Sequence, residues 1–103
     1  MKGIKMTMLK NRVITLYDRK TSMRLANAEW QILDYICYAE KMRRKNLLEL
    51  IDQNRNPELG LTAAVRLFSL RYLDSLMPKS NFGYSTAHNN HQNLEMTLNK
   101  LHA

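Results

Sequence analysis

Apolar and polar positions change rhythm several times along this chain of 103 residues, and each change predicts an element. Residues 12–17 (Arg-Val-Ile-Thr-Leu-Tyr) are rich in β-branched side chains, and residues 20–25 (Lys-Thr-Ser-Met-Arg-Leu) alternate with a period of two, so both read as strands. In the second run Thr21, Met23 and Leu25 fall on one face and Lys20, Ser22 and Arg24 on the other. The Asp18-Arg19 pair between the runs lacks the Gly or Asn that a two-residue hairpin ordinarily requires. The two runs are therefore not expected to pair with each other.

From Asn27 the period lengthens to that of a helix. Asn27 is a suitable N-cap, with Glu29 in the first turn where the helix dipole favours an anion. Trp30, Leu33, Ile36 and Cys37 form the main stripe, and Ile32, Tyr35 and Ala39 widen it, which predicts burial on two sides. The pattern breaks near residues 41–43, after which Leu47, Leu48, Leu50 and Ile51 mark a second, short helix ending around Asn54. Asn54-Arg55-Asn56-Pro57 interrupts regular structure, since proline disfavours helix at the residue before it. A third helix is predicted over 62–77, capped by Thr62, striped by Ala64, Val65, Phe68, Tyr72, Leu73 and Leu76, and stopped by Pro78. Residues 78–90 are polar and aperiodic. Leu94, Leu98 and Leu101 then predict a short amphipathic helix within 91–102 that needs a surface to pack on. The organisation read from this is a basic arm over 1–18, a folded domain over 19–77 and a flexible tail over 78–103.

Charge sharpens the picture. Hydrophobic residues make up 45% and charged residues 24%, so the chain folds, yet 16 Lys+Arg against 9 Asp+Glu leave it at +7. Within residues 1–24, Lys2, Lys5, Lys10, Arg12, Arg19, Lys20 and Arg24 oppose Asp18 alone. A second focus is Lys41, Arg43, Arg44 and Lys45. Two basic foci imply a polyanionic partner. Non-specific binding of RNA or an anionic membrane surface by the arm is the competing reading.

Catalytic and metal chemistry find little support. The lone Cys37 excludes an intramolecular disulfide or a Cys-pair zinc site and, on an apolar helical stripe, reads as a structural thiol of a cytoplasmic protein. His88 and His91 lie three apart without a Cys or carboxylate beside them, so no metal site is expected. Neither a phosphate-cradling Gly loop nor a convergent acid/base set is present, and no enzyme activity or cofactor is expected. No secretory leader is read at the N-terminus, and no run approaches the roughly 20 apolar residues of a membrane span.

A short domain with a single half-buried strand leaves both strand edges unpaired. The economical partner is a second copy: two symmetry-related strands make an antiparallel ribbon, and the helices beneath share one core. The expected fold is mainly α, with one short strand per chain, as an intertwined homodimer with an intermolecular two-stranded ribbon and an extra helix.

Leu25 at the end of an alternating strand, Trp30, Leu33 and Ile36 at fixed offsets, the turn at 41–43 and the apolar helix after it resemble the ribbon-helix-helix DNA-binding family of the Arc, MetJ and CopG type. Arg19-x-Thr21-Ser22-x-x-Leu25, Glu29-Trp30, Ile51-Asp52 and Leu61-Thr62-Ala63-Ala64-Val65-Arg66-Leu67-Phe68-x-Leu70 resemble a bacterial branch with an additional C-terminal helix. The likeness covers roughly residues 12–77. Two positions depart from it: Lys41 stands where the turn usually has Gly, and Arg43 where the second helix usually has a Ser or Thr cap.

The resemblance implies a sequence-specific, duplex-DNA-binding transcriptional repressor that inserts its ribbon into the major groove. Lys20, Ser22 and Arg24 would contact bases, with Arg24 forking onto guanine. Arg43, Arg44 and Lys45 at the start of the second helix, with Arg12 and Arg19, would hold phosphates. An antitoxin-like adaptor is the alternative, its tail ordering Leu94, Leu98 and Leu101 on a partner protein.

Overall fold

The computed structural model describes residues 8–77 and 92–101. Its first element is a hairpin. Strand β1 (Leu9–Leu16) runs antiparallel to β2 (Arg19–Ala26), with Leu16 opposite Arg19 and Leu9 opposite Ala26. This corrects three expectations: the described residues form two strands instead of one, these pair within the same molecule, and residues 9–16 of the supposed arm are part of the sheet. The turn is Tyr17-Asp18, one residue earlier than Asp18-Arg19. Both residues have positive φ, 48° and 65°, as a type I′ turn requires. Asp tolerates that conformation; a bulky Tyr does so only under constraint. Glu49 supplies it, for its carboxylate accepts the Tyr17 backbone N–H at 2.8 Å.

Helix α1 (Asn27–Glu40) starts with no residue between it and β2. Ala26, extended at φ −66° and ψ 155°, occupies the cap position, and Asn27 is already helical, contrary to the expected cap. Ala26 has no side-chain acceptor, so Glu29 closes the end from inside: its Oε1 accepts the Ala26 N–H at 2.8 Å. At the other end Lys41 takes the left-handed conformation, φ 56° and ψ 49°. Its N–H donates to the Tyr38 carbonyl at 3.2 Å and that of Met42 to Cys37 at 3.0 Å, a complete Schellman closure built without glycine.

Helix α2 (Arg44–Asn54) opens with the Arg43 carbonyl accepting the Leu47 N–H at 3.0 Å. Its end matches the expected one. The chain divides into two compact units, residues 1–49 and 50–103, and α2 begins in the first and ends in the second. The first unit buries Ile14, Met23 and Leu25 from the sheet, Trp30, Leu33 and Ile36 from α1, and Leu47 and Leu48 from α2. Of the broad stripe on α1, Tyr35 and Ala39 remain exposed, as does the neighbouring Tyr38, so only one side of that helix is filled among the described residues.

The second unit holds α3 (Leu61–Leu76) and α4 (Gln92–Lys100). Gly60, not Thr62, stands at the start of α3, its carbonyl accepting the Ala64 N–H at 2.9 Å. Ala64, Val65, Phe68 and Tyr72 are buried, with the Phe68 and Tyr72 rings stacked at 6.0 Å. Met77 returns to extended backbone, as a residue before proline must. Helix α4 packs on α3, and Leu94, Leu98 and Leu101 are buried. The leucines expected to wait for a partner protein are thus already covered by the chain itself. The remainder of the stretch read as a tail, with His88 and His91, lies outside the described residues, as do Lys2 and Lys5 of the arm.

Among the described residues no helix is long and apolar enough to cross a membrane, and no group of three His, Cys, Asp or Glu is placed to hold a metal ion.

Candidate nucleic-acid interface

Antiparallel pairing doubles the alternation seen in one strand, because residues directly opposite each other share a face. The pairs Asn11–Arg24, Val13–Ser22 and Thr15–Lys20 therefore lie on one side of the sheet. Asn11, Val13, Lys20, Ser22 and Arg24 are exposed and Thr15 is half-buried. The other side carries Lys10–Leu25, Arg12–Met23, Ile14–Thr21 and Leu16–Arg19, and it buries Ile14, Met23 and Leu25. The three residues expected to read bases are thus brought together on one open face. Asn11 and Thr15 join them, and were not singled out beforehand. Their signal was the period of the first strand, which becomes readable only once the hairpin register is known.

Trp30 organises the inner side. Fully buried, it donates its indole N–H to the Lys10 carbonyl at 2.9 Å and so ties the start of α1 to β1. Two guanidiniums stack on its ring, Arg12 at 4.8 Å and Arg44 at 5.2 Å from the centroid. Arg44 also donates Nη2 to Asp34 at 2.7 Å, while its Nε is buried without a hydrogen-bond partner. Two of the five cations expected at phosphates are therefore gathered around an indole, and Arg19 sits on this same inner side at the turn end of β2.

Arg43, Arg44 and Lys45 stand together at the N-terminal end of α2, where free backbone N–H groups and the dipole attract anions. Arg43 and Lys45 are exposed. Lys45 Nζ lies 3.2 Å from Glu49 Oε2, the oxygen that also receives the Tyr17 N–H. That backbone hydrogen bond, with Lys45 adding to it, holds the Glu49 carboxyl below its ordinary value. Cys37 shows the opposite effect: burial, then the nearby Asp34 charge, pushes its thiol up, away from nucleophile chemistry.

The profile of one family, described as a ribbon-helix-helix domain, matches residues 9–73. No curated protein and no solved structure matches the chain.

Proposed function

The chain belongs to the ribbon-helix-helix domain family, and on that premise we propose that it is a homodimeric regulator that reads duplex DNA through the outer face of its hairpin and represses transcription. The observation that carries this reading is the row Lys20, Ser22, Arg24, exposed on a strand that has only one neighbour among the described residues. Pairing within the chain occupies one edge of β2 and leaves the other. In a hairpin with a two-residue turn, Leu16 and Arg19 close the ladder, so the backbone groups of Lys20, Ser22 and Arg24 point to the open edge. A second copy of β2 satisfies those groups and doubles the cationic row across a two-fold axis. In this reading the intermolecular ribbon forms the centre of a four-stranded sheet, β1-β2-β2-β1.

In this reading Arg24 forks onto guanine, Lys20 donates to guanine or phosphate, and Ser22 accepts several bases. Arg43 and Lys45 at the start of α2 hold phosphates, with Arg19 near the hairpin turn. Arg12 and Arg44 fix Trp30 and, through it, the angle between sheet and helix. The protein binds and carries out no reaction of its own. The adaptor alternative is not retained, because the leucine stripe that suggested it is buried within the chain.

The test is the mass in solution together with binding to a selected duplex, a random duplex and duplex RNA across a salt series. A dimer should prefer the selected DNA, with log affinity falling against log salt by about 0.9 per phosphate neutralised. A monomer that holds DNA and RNA equally would end this reading, since the deep, narrow groove of RNA admits no ribbon.

A further inference from the structure

Strand β1 widens the sheet beyond what the major groove admits. We infer that β1 is a rim strand: Asn11 and Thr15 grip the sugar-phosphate backbones on both sides of the groove that β2 enters. The inference rests on the proposed DNA binding and on pairing through the open edge of β2.

Neighbouring strands lie about 4.8 Å apart, so the outermost strands of the sheet β1-β2-β2-β1 are separated by three spacings, about 14 Å. The major groove is about 12 Å wide, room for the two central strands and no more. With the strands running along the groove, each β1 lies over one of its walls, where the chemistry is phosphate and sugar. The side chains that β1 directs to this face are Asn11, Val13 and Thr15, opposite Arg24, Ser22 and Lys20. Asn11 and Thr15 carry an amide and a hydroxyl, short neutral donors of the kind that hydrogen-bond phosphate oxygens. The cations of β1, Lys10 and Arg12, fall on the other face, and Arg12 is engaged with Trp30. The rim grip is therefore made by neutral groups, and this gives it an experimental signature. Neutral donors add affinity without releasing counterions, and phosphate contacts carry no sequence information.

The experiment uses the full chain with Asn11→Ala and Thr15→Val combined, the second change keeping the β-branched shape. Affinity for the selected and the random duplex should fall by the same factor, at least about tenfold for donors lost from both protomers. The preference ratio and the salt slope should stay as in the wild type. Asn11→Asp alone should weaken both duplexes further, by placing a carboxylate against phosphate. Thermal unfolding of each variant, expected to match the wild type because the positions lie on the outer face, separates loss of grip from loss of fold. Unchanged affinity in the double variant overturns the inference, as does a changed preference ratio with intact random-duplex binding, which would put these residues on bases. Failure of the underlying reading looks different: the wild type would bind no duplex, or Arg24→Ala would leave the preference where it was.

Discussion

The two faces of the hairpin are made from the same sixteen residues taken alternately, and each carries cations, yet Arg12 on one and Lys20 and Arg24 on the other have opposite fates. On the inner side Arg12 lies over the Trp30 ring with Ile14, Met23 and Leu25 buried around it. On the outer side Lys20 and Arg24 make no ion pair among the described residues and lie exposed beside Ser22, Asn11 and Thr15. The difference teaches that a count of basic residues does not locate a binding surface. A guanidinium stacked on an indole contributes to packing and stability, and one held out on a pleat with neutral neighbours is free to meet a ligand.

The contrast breaks most completely at Trp30. Trp30→Ala removes a fully buried side chain, the hydrogen bond to β1 and the platform for two arginines, and should cost about 3–5 kcal/mol in denaturant unfolding, a large part of a small domain's stability. Arg24→Ala tests the outer face: the folded state should be unaffected within about 0.5 kcal/mol, while discrimination between selected and altered duplexes drops by about 1–3 kcal/mol. Arg12→Ala is its mirror image, with preference retained and stability lowered by about 0.5–2 kcal/mol for the lost cation–π contact. If Arg12→Ala relaxed the preference and Arg24→Ala only destabilised the fold, the two faces would have been assigned the wrong way round.

Two smaller effects sharpen the frame that holds the faces apart. Lys41→Gly relieves a left-handed lysine and should raise the unfolding midpoint, with a gain of up to about 1 kcal/mol after the glycine's own entropy is set against it. Glu49→Gln addresses the hairpin turn. The Tyr17 N–H lowers the Glu49 pKa in the folded chain, so its contribution to stability is complete above the ordinary glutamate value and drains away as pH falls through the folded one. The Gln variant should lack that acid-side loss in a pH series of thermal unfolding, and be slightly less stable than wild type near neutrality.

Much of the frame was legible in the period of apolar positions. The boundaries of α2 and α3 fall within a residue or two of those expected, and the split of Lys20, Ser22 and Arg24 from Thr21, Met23 and Leu25 follows from alternation alone. The hairpin was not legible, because its turn breaks the local rule: Tyr17 at positive φ is sustained by a carboxylate 32 residues away, which no short window contains. Missing the hairpin hid the rest of the outer face, since Asn11 and Thr15 acquire neighbours only through the register. Arg12 and Arg44 illustrate the complementary limit. Their charge suggests phosphate, and only the fold brings both onto one indole.

The direct junction of Ala26 to Asn27 leaves the sheet no swivel. A loop there would let strand and helix drift in relative roll; without one, each turn of α1 is geared to the pleat of β2. Adding or deleting one amino acid at that seam would present the greasy set of β2 where its basic set now stands. An added residue within 55–60, where turns absorb it, should leave the fold intact, whereas one between residues 26 and 27 should not.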